Sequence, residues 1–411
     1  MPDHRHIRIP VLGKAAPPIG SDFVSLEAAS GIVLLLAAIG ALIWANTDTA
    51  GYTSWWGHEL TIGWGELTIT ESLVHWVNDA LMTIFFFVVG LEIKRELVTG
   101  ELRDRSRAAL PAVAAVGGMV VPALFYVLVN LGGDGLNGWA IPMATDIAFA
   151  VGVLAILGAR VPSSLKVFLL TLAIVDDIGA IVVIALFYSN GVEPLWLGAG
   201  ALVVIAVVAM SRLRVDHPIA YVVPGALLWL CLYEAGIEPT LAGVALGLLT
   251  PALPRRGVPV LERLELGLHP VSSFIIVPLF ALANAGVILT GDAISDAIAS
   301  RVTIGIVVGL VVGKFLGILG ASALAVHLRI GRLPDGITLR HVAGVATLGG
   351  IGFTVSLFIT DLAFRGTQFS DAKIGVLVAS ALAAIVGMTV LSVTLRRGQP
   401  ATEEPSVEEH P

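Results

Sequence analysis

Charge is scarce in this chain of 411 residues: Asp, Glu, Lys and Arg together make up 13% of it, about half of the quarter usual in soluble domains. Cysteine is nearly absent. The one thiol, Cys231, sits inside an apolar run, so no disulfide can form within the chain. A phosphate-cradling Walker loop is missing too, because Gly313-Lys314 is followed by Phe315 and not by Ser or Thr. The scarcity of charge excludes a soluble enzyme, a disordered chain and a nucleic-acid binder, and nothing suggests a use of ATP. Apolar residues, by contrast, reach 56% without counting the 45 glycines, where soluble proteins reach about 45–50% with glycine included. A membrane span takes about 20 mostly apolar residues, so twelve would use about 240 positions. The composition predicts an all-α polytopic membrane protein, and the net charge of -7 owes much to Glu403, Glu404, Glu408 and Glu409 in the tail.

Twelve hydrophobic stretches fall near 26–45, 73–91, 108–130, 139–158, 165–188, 195–210, 218–234, 237–250, 270–290, 302–325, 341–360 and 372–395. The first follows Pro17-Pro18 and runs full length from Leu26, so it reads as a retained span and not a cleaved leader. Stretches 195–210 and 237–250 are short for a bilayer, and transporters place binding sites in short or glycine-broken spans. The domain reading is a tail over 1–21, a twelve-helix transporter domain over 22–397 and an acidic disordered tail over 398–411. Basic residues test the count, because they concentrate on the cytoplasmic side. Of the 24 lysines and arginines, all but Arg301, Lys314, Arg365 and Lys373 fall on the termini and alternate connections. Both termini are therefore expected in the cytoplasm.

The long opposite-side connection, 46–72, has no lysine or arginine. It contains Leu60-Thr61-Ile62, a Gly63-Trp64-Gly65 turn and Leu67-Thr68-Ile69, an alternation that reads as a β-hairpin. An amphipathic loop with Trp55 and Trp56 at the headgroups is the other reading. Because an isolated hairpin is marginal and its edge is open, a second copy could pair there to form a homodimer.

Lys314 lies in the middle of a span, beside glycines at 305, 309, 313 and 317. That stripe reads first as ordinary close helix packing. The lysine does not, since a central charge costs about 2.5–3.5 kcal/mol on insertion scales and is too deep to snorkel. It needs a wet cavity or a carboxylate, and Asp146, Asp176 and Asp177 stand at comparable depth in their own stretches. Consecutive helical residues point about 100° apart, so one of Asp176 and Asp177 can meet the lysine while the other faces an aqueous path. Buried pairing for structure alone explains one acid, whereas three acids and a lysine in one apolar layer mark an ion or proton pathway.

Two stretches read as broken. Pro142 and Thr145-Asp146 interrupt the first, and Thr347-Leu-Gly349-Gly350-Ile-Gly352 the second, a run too glycine-rich for a helix interior. Half-helix ends carry about half a charge each, so Asp146 could balance facing N-termini and a lysine facing C-termini.

At these residues the sequence resembles the NhaA-type sodium/proton antiporter family. The matching segments are Phe85-Phe-Phe-Val-Val-Gly90-Leu-Glu92-Ile-Lys-Arg95-Glu96-Leu, Ala144-Thr145-Asp146-Ile-Ala-Phe, Ala173-Ile-Val-Asp176-Asp177-Ile-Gly-Ala, Leu279-Phe-Ala-Leu-Ala-Asn284-Ala-Gly, Gly313-Lys314 and Gly350-Ile-Gly-Phe-Thr354-Val-Ser356. The resemblance implies inverted repeats with two discontinuous helices meeting at a midplane site. It implies Asp177 as the main ligand of a transient Na+ ion, with Asp176 joining it or pairing with Lys314, and Thr145 and Asp146 at the first break. Glu92, Arg95, Glu96, Glu265 and His269 would line a cytoplasmic mouth where the family senses pH. On the residues alone, that group reads first as a solvated helix end. The chain departs from the resemblance at Glu238-Pro239, where some members carry histidine. Glutamate ordinarily titrates about two units below histidine, so a pH response there must differ. Neither tail has a counterpart.

The implied activity is extrusion of Na+ or Li+ in exchange for protons across a bacterial inner membrane, supporting salt tolerance and pH homeostasis without a cofactor or nucleic acid. An intramembrane aspartyl protease would need two acids from separate helices sharing a proton, and a channel would need an open ring of ligands. Sequential acids opposed by a lysine favour occlusion over either, and another sodium-coupled transporter is the nearest alternative.

Overall fold

A computed structural model describes residues 21–64, 67–189, 191–213, 215, 217–252 and 260–396. The tail readings, Arg255, Arg256 and the hairpin residues Gly65 and Glu66 fall outside the described residues. The described residues are mostly helical. Among them, eight helices are long and apolar enough to cross a membrane: Ala29–Thr47, Leu73–Val98, Arg105–Asn130, Ser163–Phe187, Pro194–Arg212, Val260–Asn284, Arg301–His327 and Thr367–Leu395. Two bent pairs, Asp134–Met143 with Ile147–Leu157 and Leu339–Leu348 with Phe353–Ala363, turn by 44° and 47° at their breaks. Ile219–Glu234 and Leu241–Leu249 complete the set in the order of the twelve apolar stretches.

Two lengths differ from the sequence reading. The 195–210 stretch is a full helix, Pro194–Arg212, because Pro194 opens it and Arg212 supplies a basic last turn. Its Leu195, Leu202 and Ile205 are exposed, as lipid-facing residues should be. The 237–250 stretch is helical only over the nine residues Leu241–Leu249, which leaves Glu238 in the connection ahead of it. That short helix lies tightly on Leu73–Val98, where a Cβ on Gly243 or Gly247 would strike the backbone near Thr83 and Gly90.

The hairpin is present as antiparallel strands β1 (Glu59–Trp64) and β2 (Leu67–Ser72), with Ile62 opposite Ile69. The register corrects the predicted turn. Gly63 and Trp64 are paired strand residues, facing Thr68 and Leu67, and are not part of the turn.

The glycine stripe beside Lys314 packs as expected, against Arg105–Asn130. A Cβ on Gly313 would crowd Pro122, and one on Gly317 would collide with the Gly117 carbonyl. Immediately before the lysine, Val308–Gly313 widens into a π-helical turn, a feature frequent at functional sites because it re-aims the residues that follow. Ser163–Phe187, which carries both acids, also lies against Arg105–Asn130. These contacts bring Asp176 and Lys314 to one depth.

Candidate functional site

The first break follows from Pro142, which has no N–H to continue a ladder, at the end of a 3-10 segment. Ala144 and Asp146 are extended, and a new helix starts at Ile147 with Asp146 as its N-cap. The second break spans Gly349 to Gly352, where glycine costs about 1 kcal/mol per residue as helix. The two breaks cross. The Asp146 N–H donates to the Ile351 carbonyl at 2.6 Å, so each unwound segment supplies backbone partners that the other has lost.

Asp146 serves both facing N-termini. Its Oδ1 accepts from the Phe149 N–H of its own helix at 3.0 Å, and its Oδ2 accepts from the N–H and hydroxyl of Thr354 at 3.0 and 2.6 Å. A buried carboxylate between two helix N-termini meets two partial positive charges. The facing C-terminus is served differently from the sequence expectation: the Thr145 hydroxyl, and not a lysine, reaches the Gly349 carbonyl at 2.9 Å.

Lys314 goes to Asp176 instead. Its ammonium donates to Asp176 Oδ2, and both side chains are fully buried. Thr145 Oγ1 lies 2.7 Å from that same oxygen. One hydroxyl proton cannot serve the carboxylate and the Gly349 carbonyl at once. Asp176 Oδ1 is buried with no partner. Asp177, a residue further on and 7% exposed, makes no hydrogen bond or ion pair among the described residues. The site therefore has more acceptor oxygens than protons to fill them. Buried carbonyls and carboxylates left in that state are costly, and a bare cation or an added proton relieves them.

The predicted mouth residues also converge. Arg95 pairs with Glu265, and lies 3.4 Å from Glu96, whose other oxygen accepts from the Glu101 N–H at 2.9 Å. His269 Nε2 stands 3.7 Å from Glu92. Glu92 is within electrostatic reach of Asp177, which links this group to the acids. The reading of these charges as independent solvated side chains does not hold, since Glu265 is buried and Glu92 and His269 are largely so.

Sequence reasoning missed the acceptor role of Gly349 and Ile351 and left Thr354 without a role. The glycine run was the available signal, because a broken helix leaves carbonyls and N–H groups that only the other break can satisfy.

Two discontinuous helices crossed at a buried acid and lysine cluster, inside a bundle of apolar spans, define a polytopic membrane protein of the discontinuous-helix transporter class. A family model described as Na+/H+ antiporter 1 matches residues 21–391, so the chain belongs to that family. Among its relatives, "Na(+)/H(+) antiporter NhaA" of Proteus mirabilis is 49% identical, covering 91% of this chain and 96% of the relative. "Na(+)/H(+) antiporter NhaA" of a Janthinobacterium species is 44% identical over 96% and 97% of the two chains. "Na(+)/H(+) antiporter NhaA 3" of Frankia alni is 42% identical over 97% and 93%.

Proposed function

We propose that the protein is a secondary active Na+/H+ antiporter in which Na+ or Li+ and protons compete for Asp176 and Asp177. The observation that carries the mechanism is the surplus of buried acceptors: among the described residues Asp176 Oδ1 and the Asp177 carboxylate lack hydrogen-bond partners, beside an Asp176 Oδ2 held by Lys314 and shared with Thr145. Thr145 adds a neutral oxygen ligand, and Asp146 holds the crossing rigid from both sides. Lys314 balances Asp176 when the cation is gone. Loading by a cation displaces protons; opening to the other side releases it, and protons return. With two protons exchanged per Na+, one net charge enters per cycle, and a potential of about 100 mV contributes about 2.3 kcal/mol to extrusion.

The same reading assigns the Glu92, Arg95, Glu96, Glu265 and His269 group to a pH-responsive cytoplasmic mouth, the hairpin end of the bundle to the outside of a bacterial inner membrane, and both termini to the cytoplasm. The basic residues on alternate connections support that orientation. The open edge of β1 and β2, with Leu60 and Ile62 exposed, supports pairing with a second copy.

The test is proton flux driven by a Na+ gradient in liposomes holding the purified protein. Asp177→Asn, which keeps shape but removes the charge, is expected to abolish flux. Flux equal to that of the parent would refute the ligand assignment.

A further inference from the structure

On the hairpin side of the site, two buried amides close a ring of hydrogen bonds, and a partly buried carboxylate from a third span joins it. Asn78 lies in the π-helical turn Val77–Leu81, Asn284 ends Val260–Asn284, and Asp361 lies near the end of Phe353–Ala363. Asn78 Nδ2 donates to Asn284 Oδ1 at 3.3 Å and to Asp361 Oδ2 at 3.0 Å. Asn284 Nδ2 donates back to Asn78 Oδ1 at 2.7 Å, and to the Phe280 carbonyl at 3.0 Å. Both asparagines are buried, and every amide hydrogen of the pair is used. Arg365 stands 3.9 Å from the other Asp361 oxygen, and Asp79, Glu238 and Lys373 are within electrostatic reach of this carboxylate.

The same three spans supply a dry layer between the ring and the acids. Phe358 is four residues beyond Thr354 and three before Asp361, so Asp361 stands about 10 Å along the helix from the crossing. Phe86 and Phe280 pack on Phe358, with ring centroids 5.3 and 6.4 Å away, and all three are buried. Any route from Asp177 to the hairpin face along these spans meets the phenylalanines first and the ring next. The opposite route begins at Glu92.

We infer that Asn78, Asn284 and Asp361 form a latch over a Phe86–Phe280–Phe358 plug, and that this pair of layers closes the hairpin-side route until the Asn78–Asp361 hydrogen bond breaks. The inference rests on the exchange reading, since alternating access requires one route to be shut while the other is used. The latch joins Phe353–Ala363, the half-helix whose Thr354 binds Asp146, to two unbroken spans. Movement at the crossing is thereby tied to opening.

The test uses the full chain in liposomes, with Cys231→Ala and a reporter thiol, Met82→Cys, one turn below Asn78 and fully buried. A membrane-impermeant methanethiosulfonate is added outside, and its rate is normalised to a Thr61→Cys standard in the exposed strand β1. Asn78→Ala and Asp361→Ala are expected to speed labelling about tenfold or more, the scale of one hydrogen bond to a carboxylate. Asp361→Asn retains an acceptor oxygen and is expected to stay within about twofold of the latched parent. A second reporter, Leu81→Cys, gives the same readout where Met82→Cys does not fold. Unchanged rates in both alanine variants, or Asp361→Asn as fast as Asp361→Ala, would overturn the latch. Labelling does not need transport: the expected rates with no Na+-driven flux leave the latch standing and sink the exchange reading, and normal flux with unresponsive labelling does the reverse.

Discussion

Removing the Lys314 ammonium, as in Lys314→Met, isolates one electrostatic term at the heart of the site. Methionine keeps the unbranched stem that passes Gly118, so the packing loss is small and the change is chiefly the charge. Asp176 then retains only the shared Thr145 hydroxyl, with Oδ1 already unpartnered. Breaking a buried ion pair from one side costs about 3–5 kcal/mol, whereas replacing both partners by neutral groups is often neutral or stabilising. The double variant Lys314→Met with Asp176→Asn should therefore recover most of the loss, a coupling of about 2–4 kcal/mol by the same reasoning. Heat-denaturation midpoints of the purified protein, measured for parent, both single variants and the double variant, close the cycle. A single variant as stable as the parent, or a double variant no better than Lys314→Met, would refute the assignment of Asp176 as the lysine's partner. Na+-driven flux in the same four proteins separates stability from turnover.

Packing and pH supply two more tests. Gly317→Val forces two methyls toward the Gly117 carbonyl and should cost about 1–3 kcal/mol, while Gly320→Ala, with open space around it, should be neutral or slightly stabilising; equal effects in a melting assay would contradict the close approach of the two helices. Glu238, in the connection before Leu241–Leu249, is pushed by burial, and then by the nearby Asp79 carboxylate, from 4.5 up to about 8. The folded state thus holds this proton where the unfolded state has lost it, so stability declines as pH rises from about 4.5 to about 8. Glu238→Gln should gain on the parent progressively between those limits, and a constant difference in melting midpoint would count against the buried carboxyl.

Much of the architecture was legible because lipid imposes one strong rule, that apolar runs span and charges inside them have partners. Lys314 was conspicuous for that reason, and the requirement for a carboxylate led to the adjacent Asp176 and Asp177 without choosing between them. Asp146 was legible from its place in a stretch interrupted by Pro142, where facing helix N-termini call for a negative charge. Glu238 was misjudged for a physical reason: the two-unit gap from histidine belongs to solvated glutamate, and burial closes it. The ring of Asn78, Asn284 and Asp361 could not be read at all. They come from three separate spans, and in sequence the amides stand 206 residues apart. The π-helical turn before Lys314 was equally silent, because Val308–Gly313 has the same residue types as its regular neighbours.

The crossing of the two breaks also bears on how the chain is made. Asp146 and Thr354 are 208 residues apart, and at about 5–20 residues per second the ribosome takes on the order of 10–40 seconds to go from one to the other. Throughout that interval the first unwound segment sits in the bilayer with an acid, a hydroxyl and backbone groups awaiting partners not yet synthesised. The ion site is thus assembled late in biogenesis, and the insertion machinery must shelter a half-finished helix until its counterpart arrives.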